Sequence, residues 1–122
     1  MRSIAPVLNR TDGIRACAIL PSIVKTPLMG PGMWETYPQH LFTPIETVVS
    51  AVEMLISGGT MRDSKGKEVG PQDADGLAVE VFMDKIFFRE ELEPCNDDMR
   101  EVLYSLSYDR KMEAMKVRAQ EG

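Results

Sequence analysis

The chain has 122 residues, enough for one domain around one hydrophobic core. Its 14 basic and 19 acidic residues leave a net charge of −5, which excludes the positive face that general nucleic-acid binding needs. No apolar run is long enough to span a bilayer, and no cationic segment followed by an apolar one opens the chain, so neither a membrane contact nor a secretory signal is expected.

Met1, Ile4, Ala5, Val7 and Leu8 predict a short helical stripe, ended by a polar break over Asn9–Gly13. Arg15–Leu20 reads as a strand. Nothing strongly polar follows Arg15, as in a parallel strand covered on both faces. Cys17, within it, is expected to be a small buried hydrophobe, and it has no base beside it to make it a nucleophile. Cys17 and Cys95 are too few and too scattered for a disulfide framework, so a reduced, cytoplasmic setting is expected.

Pro21 to Phe42 is a long irregular connection holding Pro21, Pro27, Gly30, Pro31, Gly32, Pro38 and the only Trp and His of the chain. Connections of this length are functional or disordered. The aromatics Trp34, Tyr37 and Phe42 argue for order, with a short helix over Met33–Tyr37.

Thr43 opens the clearest helix. Thr43-Pro44-Ile45-Glu46 reads as a capping box with Pro at the first helical position. Ile45, Val48, Val49, Val52, Leu55 and Ile56 follow at helical spacing, and Gly58-Gly59 ends the run. Thr60 to Gly76 is polar and glycine-rich and reads as a flexible surface loop. Leu77–Met83 is a second strand, Asp84-Lys85 a turn, and Ile86–Phe88 continues extended. Pro94 breaks the chain, and Asn96 or a neighbouring aspartate caps a final helix with an acidic first turn and a stripe of Met99, Val102, Leu103 and Leu106. The domain is expected to occupy residues 1–108, with 109–122 a charged helical tail that projects or frays.

Strand, connection, helix, strand makes a crossover unit. The order of the pieces, with Pro21-Ser-Ile-Val-Lys-Thr-Pro27, Thr43-Pro-Ile-Glu46 and Ala78-Val-Glu-Val-Phe-Met-Asp-Lys-Ile-Phe-Phe88, resembles the closing third of a short-chain dehydrogenase/reductase. The wording is similar to fungal members, including those that resemble prostaglandin dehydrogenases. In that family a Val-Asn-like pair stands where this chain has Ala16-Cys17. Its Pro-Gly-x-x-x-Thr loop, here Pro21 to Thr26, helps hold the nicotinamide end of the cofactor. The resemblance implies an α/β fold, a truncated Rossmann-like remnant of helix, strand, helix, strand and C-terminal helix. The adenosine-binding and hydride-transfer parts of the family would lie before Met1.

The chemistry follows from what these residues retain. Gly30-Pro31-Gly32 is the only Gly-x-Gly; it follows no strand directly and lacks the third glycine of a dinucleotide fingerprint. The family's Tyr with a Lys four residues later has no match: Tyr37, Tyr104 and Tyr108 are followed at that distance by Leu41, Tyr108 and Met112. Ser22 replaces the loop glycine. No NAD or NADP binding is expected, hence no cofactor, and one His with two distant Cys gives no metal-ligand spacing. His40 is the one side chain with an unperturbed pKa near neutrality, and its segment corresponds to the family's substrate loop. His40, Glu35 and Tyr37 are the candidate catalytic residues, with Trp34, Phe42, Met33 and Leu28 as the apolar wall for a small apolar molecule. The alternative for His40 is a surface or helix-capping role; Asp84 reads as a turn residue and, second, as an acid or base.

Two classes of function remain. One is a cofactor-independent enzyme derived from a truncated reductase, performing isomerisation, cyclisation or dehydration of an apolar secondary metabolite. The other is a non-catalytic module, or a fragment of an NAD(P)-dependent reductase. Because two strands rarely make a stable sheet alone, oligomerisation is expected to complete it. A homodimer through Thr43–Ile56 and Leu77–Phe88 is expected, with exchange of the first helix or the tail as one route.

Overall fold

A computed structural model describes residues 4–122, so Met1 of the predicted first stripe lies outside the described residues. The elements run α1 (Ala5–Asp12), β1 (Ala18–Pro21), α2 (Ile45–Ser57), β2 (Met61–Arg62), β3 (Glu68–Val69), β4 (Ala78–Phe82), β5 (Lys85–Arg89), α3 (Asp97–Ser105) and α4 (Tyr108–Glu121). The fold is α/β, compatible with a Rossmann-like remnant.

The two strands predicted to share a sheet do so. β1 pairs in parallel with β4, Ala18 opposite Ala78 and Pro21 opposite Val81. The sheet has a third member from the same chain: β5 pairs antiparallel on the other side of β4, giving the order β1-β4-β5. β4 is central, and its Val79 and Val81 are fully buried. Removing such side chains from water contributes roughly 2 kcal/mol each. α2 packs on β1 and β4, sending Ala51 and Leu55 into the same core.

Several local expectations are corrected. The first helix runs through the predicted polar break to Asp12. It stops at Gly13, whose φ of 66° suits a left-handed cap and whose N–H donates to the Asn9 carbonyl. β1 starts three residues late, because Ala16 is held by the turn before β4: its N–H donates to Asp75 and its carbonyl accepts from Gly76. The capping box does not form. α2 has no side-chain cap, and the Thr43 hydroxyl instead accepts the Met83 N–H at 2.9 Å, where the β4–β5 hairpin turns with a left-handed residue. Met83 needs a partner inside the protein, and Thr43, 2% exposed, supplies it. The α2 stripe is two faces: Val48, Ala51 and Leu55 turn to the sheet, while Ile45, Val49, Val52 and Ile56 remain exposed.

The largest correction concerns residues 60–76. They form the antiparallel β2–β3 hairpin and a short 3-10 turn, and they place Met61, Val69 and Ala74 in the core. Asp63 makes this possible. Its carboxylate, 7% exposed, accepts the backbone N–H groups of Lys65, Lys67 and Phe88 at 2.9–3.0 Å. Burial opposes its charge, but the bonds from Phe88, Lys67 and Lys65 outweigh that and hold its pKa below the usual carboxylate value. Ser64 adds two bonds to Ile86, so this turn covers the outer edge of β5.

Asn96 caps α3 through a bond from the Met99 N–H, and the expected tail is helix α4, capped by Ser107. Arg10 of α1 pairs with Asp109 and lies over the Tyr108 ring, which ties the start of α4 to the domain.

Candidate functional site

The connection from Pro21 to Phe42 leaves the C-terminal end of β1, where parallel sheets of this kind present their sites. Its two ends are joined: the Thr43 N–H donates to the Ile23 carbonyl at 2.8 Å, and the Ser22 N–H extends the ladder to Val81. Between them the chain is organised by Trp34. The indole N–H donates to the Thr26 carbonyl at 3.0 Å, fastening the far part of the loop to the segment resembling Pro-Gly-x-x-x-Thr. The Phe42 ring lies 5.8 Å from it edge-on and the Tyr37 ring 6.0 Å away, tilted. Both are favourable geometries for aromatic pairs. The Gln39 amide donates to the carbonyls of Trp34 and Tyr37, closing the turn between Met33–Thr36 and Gln39–Leu41.

The structure thus gathers three of the predicted residues, Trp34, Tyr37 and Phe42, into one aromatic cluster. Met33 lies exposed on the same short helical turn as Trp34, and Leu28 is 90% exposed. His40 and Glu35 are both exposed, on the two adjoining 3-10 turns. The platform is open rather than enclosed.

A cleft of about 490 Å³ lies elsewhere, between the start of α1, β3 and the end of β5. Lys67, Glu68, Asp73, Asp75, Arg89 and Glu90 line it. Lys67 pairs with Glu90 and holds that carboxylate below its usual pKa; Arg89 reaches Glu80 at 3.4 Å. It is a charged, ion-paired surface with no nucleophile. No sequence signal marked it, because its residues come from separate elements that only the folded sheet brings together. Cys17 is half-buried; burial pushes its thiol pKa up, and the thiol donates to the Ala74 carbonyl, which suits a packing role. Among the described residues no group of three His, Cys, Asp or Glu side chains comes together as metal ligands, and no helix is long and apolar enough to cross a membrane.

This α/β geometry, with a parallel strand pair and a long loop at the strand's C-terminal end, accords with the sequence comparison: the chain is similar to parts of two fungal short-chain dehydrogenase/reductases. Short-chain dehydrogenase/reductase prx7 of Penicillium rubens is 33% identical over 108 residues, a match covering 84% of this chain and 38% of prx7. Short-chain dehydrogenase/reductase prx6 of the same fungus is 30% identical over 60 residues, 49% of this chain and 20% of prx6. The chain therefore spans well under half the length of these curated relatives. No family model matches it, and no solved structure does.

Proposed function

We propose that this chain supplies the substrate-side part of a short-chain-dehydrogenase-like fold and binds a small apolar molecule on the Trp34–Tyr37–Phe42 platform. The observation that carries the reading is the clustering of those rings at the C-terminal end of β1, held by the bond from Trp34 to Thr26. The reaction proposed is an isomerisation, cyclisation or dehydration that needs no nicotinamide. His40 and Glu35 move a proton between two positions of the ligand or, in a dehydration, take one from carbon and protonate the hydroxyl that leaves as water, and the aromatic wall supplies shape. The absence from these 122 residues of the Tyr-x-x-x-Lys pair and of a third phosphate-loop glycine supports a non-redox step by this chain alone. A homodimer covering the open side of the platform belongs to the same proposal.

Trp34, the only tryptophan, is a built-in reporter. A naphthalene-type apolar probe should shift its emission, and replacing Tyr37 and Phe42 by Ala should abolish the shift. No response in the wild-type protein would remove the binding platform. Turnover, followed by chromatographic separation of substrate and product in extracts of the native pathway, should fall about 100- to 10,000-fold in His40→Ala. Full activity in both His40→Ala and Glu35→Gln would remove the proton transfer.

A second reading rests on β1, which among the described residues pairs with β4 alone, together with the 38% coverage of prx7. In that reading the chain is one portion of a reductase whose remaining strands complete the sheet. Micromolar binding of NADP by this chain, read by calorimetry, would overturn the non-redox proposal.

A further inference from the structure

The outer face of α2 and helix α4 match each other. On α2, Ile45, Val49, Val52 and Ile56 recur at intervals of four, three and four residues, and all are exposed, Ile56 by 76%. On α4, Tyr108, Met112, Met115 and Ala119 recur at the same intervals. Each stripe is about 16 Å long at 1.5 Å per residue. The α2 stripe is open within one copy; on α4, Tyr108 lies under Arg10 and is half-buried with Met112, while Met115 is 63% exposed. Isolated helices of this length are marginal in water and take their stability from packing an apolar face, so the rest of α4, beyond the turn that Arg10 covers, gains from a further surface.

The charges match as well. α2 carries Glu46 and Glu53 and no basic residue. At 3.6 residues per turn, these two, seven residues apart, border its exposed stripe on one side. On α4, Lys111 and Arg118, also seven apart, border the other stripe on the opposite flank. Two helices packed in parallel bring opposite flanks together, so the acidic pair meets the basic pair. Asp109, the acid bordering the α4 stripe, already pairs with Arg10.

We infer that α4 of one copy packs in parallel on the outer face of α2 of a second copy, and the reverse, so that a homodimer exchanges its C-terminal helices. Two such contacts close under a two-fold axis. The inference rests on the homodimer proposed above and on no catalytic step.

The test is the mass of the full chain by light scattering. The wild-type protein should be dimeric at micromolar concentration, and the double reversal Glu46→Lys with Glu53→Lys should weaken the dimer about tenfold or more. Adding Lys111→Glu and Arg118→Glu to it should restore association. A monomeric wild-type chain would remove both the homodimer and the exchange. A dimer that the reversals leave intact, or that the second pair fails to restore, would remove the exchange alone. A second pair of variants guards against altered folding, with far-UV circular dichroism as the control. Val49→Glu with Val52→Glu, and Met112→Glu with Met115→Glu, should each be monomeric alone. Mixed, they should regain dimer mass, because one of the two contacts then unites an intact α2 with an intact α4. A mixture that stays monomeric at every concentration would overturn the exchange, and a Met112→Glu with Met115→Glu chain that stays dimeric alone would overturn it in favour of a symmetric α2–α2 contact.

Discussion

Residues 21–42 and residues 60–76 are both polar connections rich in Gly or Pro, and they are anchored in different ways. The second sends Met61, Val69 and Ala74 into the core and buries a carboxylate among three backbone N–H groups. The first buries none of its side chains and is held by the bond from Thr43 to Ile23, by Trp34 and by the Gln39 amide. The difference teaches where a loop's order comes from. An acceptor placed among orphan N–H groups and a few apolar side chains reaching the core make a rigid element out of a sequence with little hydrophobic content. Aromatic residues that pack mainly on one another make a surface that still faces solvent, and such a surface is free to bind.

The comparison breaks most sharply at Asp63. Asp63→Ala leaves three backbone donors without their partner and should cost about 3 kcal/mol or more in denaturant unfolding. A loss below about 1 kcal/mol would mean that water replaces the carboxylate and that the hairpin owes its order to Met61 and Val69. The pH dependence sharpens the same point. Because the folded-state pKa of Asp63 is lowered, its contribution is fully present above the unfolded carboxylate value, about 4, and is lost as pH falls through the folded value beneath it. Unfolding measured from pH 7 downward should show this acid loss in the wild-type chain and a smaller one in Asp63→Asn.

Thr43→Val should cost about 2 kcal/mol, since the Met83 N–H loses its acceptor at a buried position. Trp34→Ala should cost about 1 kcal/mol in global stability while releasing the 21–42 segment, read as faster amide exchange confined to that segment. If exchange accelerates across the sheet instead, the loop is part of the core rather than a platform upon it. His40→Ala, at an exposed position, should change stability by less than about 0.5 kcal/mol, so that any activity it removes is chemical.

The legible parts of the fold were those whose signal is local. The helix over residues 45–57 follows from its apolar spacing and Gly58, the strand 78–82 from its β-branched residues, and the α3 cap from Asn96. The three-residue shift of β1 and the continuation of α1 through Asn9 were not legible, because Asp75 and Gly76 claim Ala16, and because a helix ends at a left-handed glycine rather than at the first polar residue. In the candidate site the aromatic residues were legible as a group in one segment, but their facing geometry was not.

By itself the sequence determined the α/β class, the pairing of two particular strands across one helix, and the similarity to parts of fungal short-chain dehydrogenase/reductases, because periodicity, turn residues and short motifs are carried by neighbours in the chain. Only the tertiary structure decided that Thr43 serves Met83 rather than its own helix, that Asp63 makes a hairpin of a polar loop, and that one face of α2 stays open. Each of those depends on which backbone groups and side chains from distant parts of the chain are left without a partner once the sheet has formed, and that accounting exists only in three dimensions.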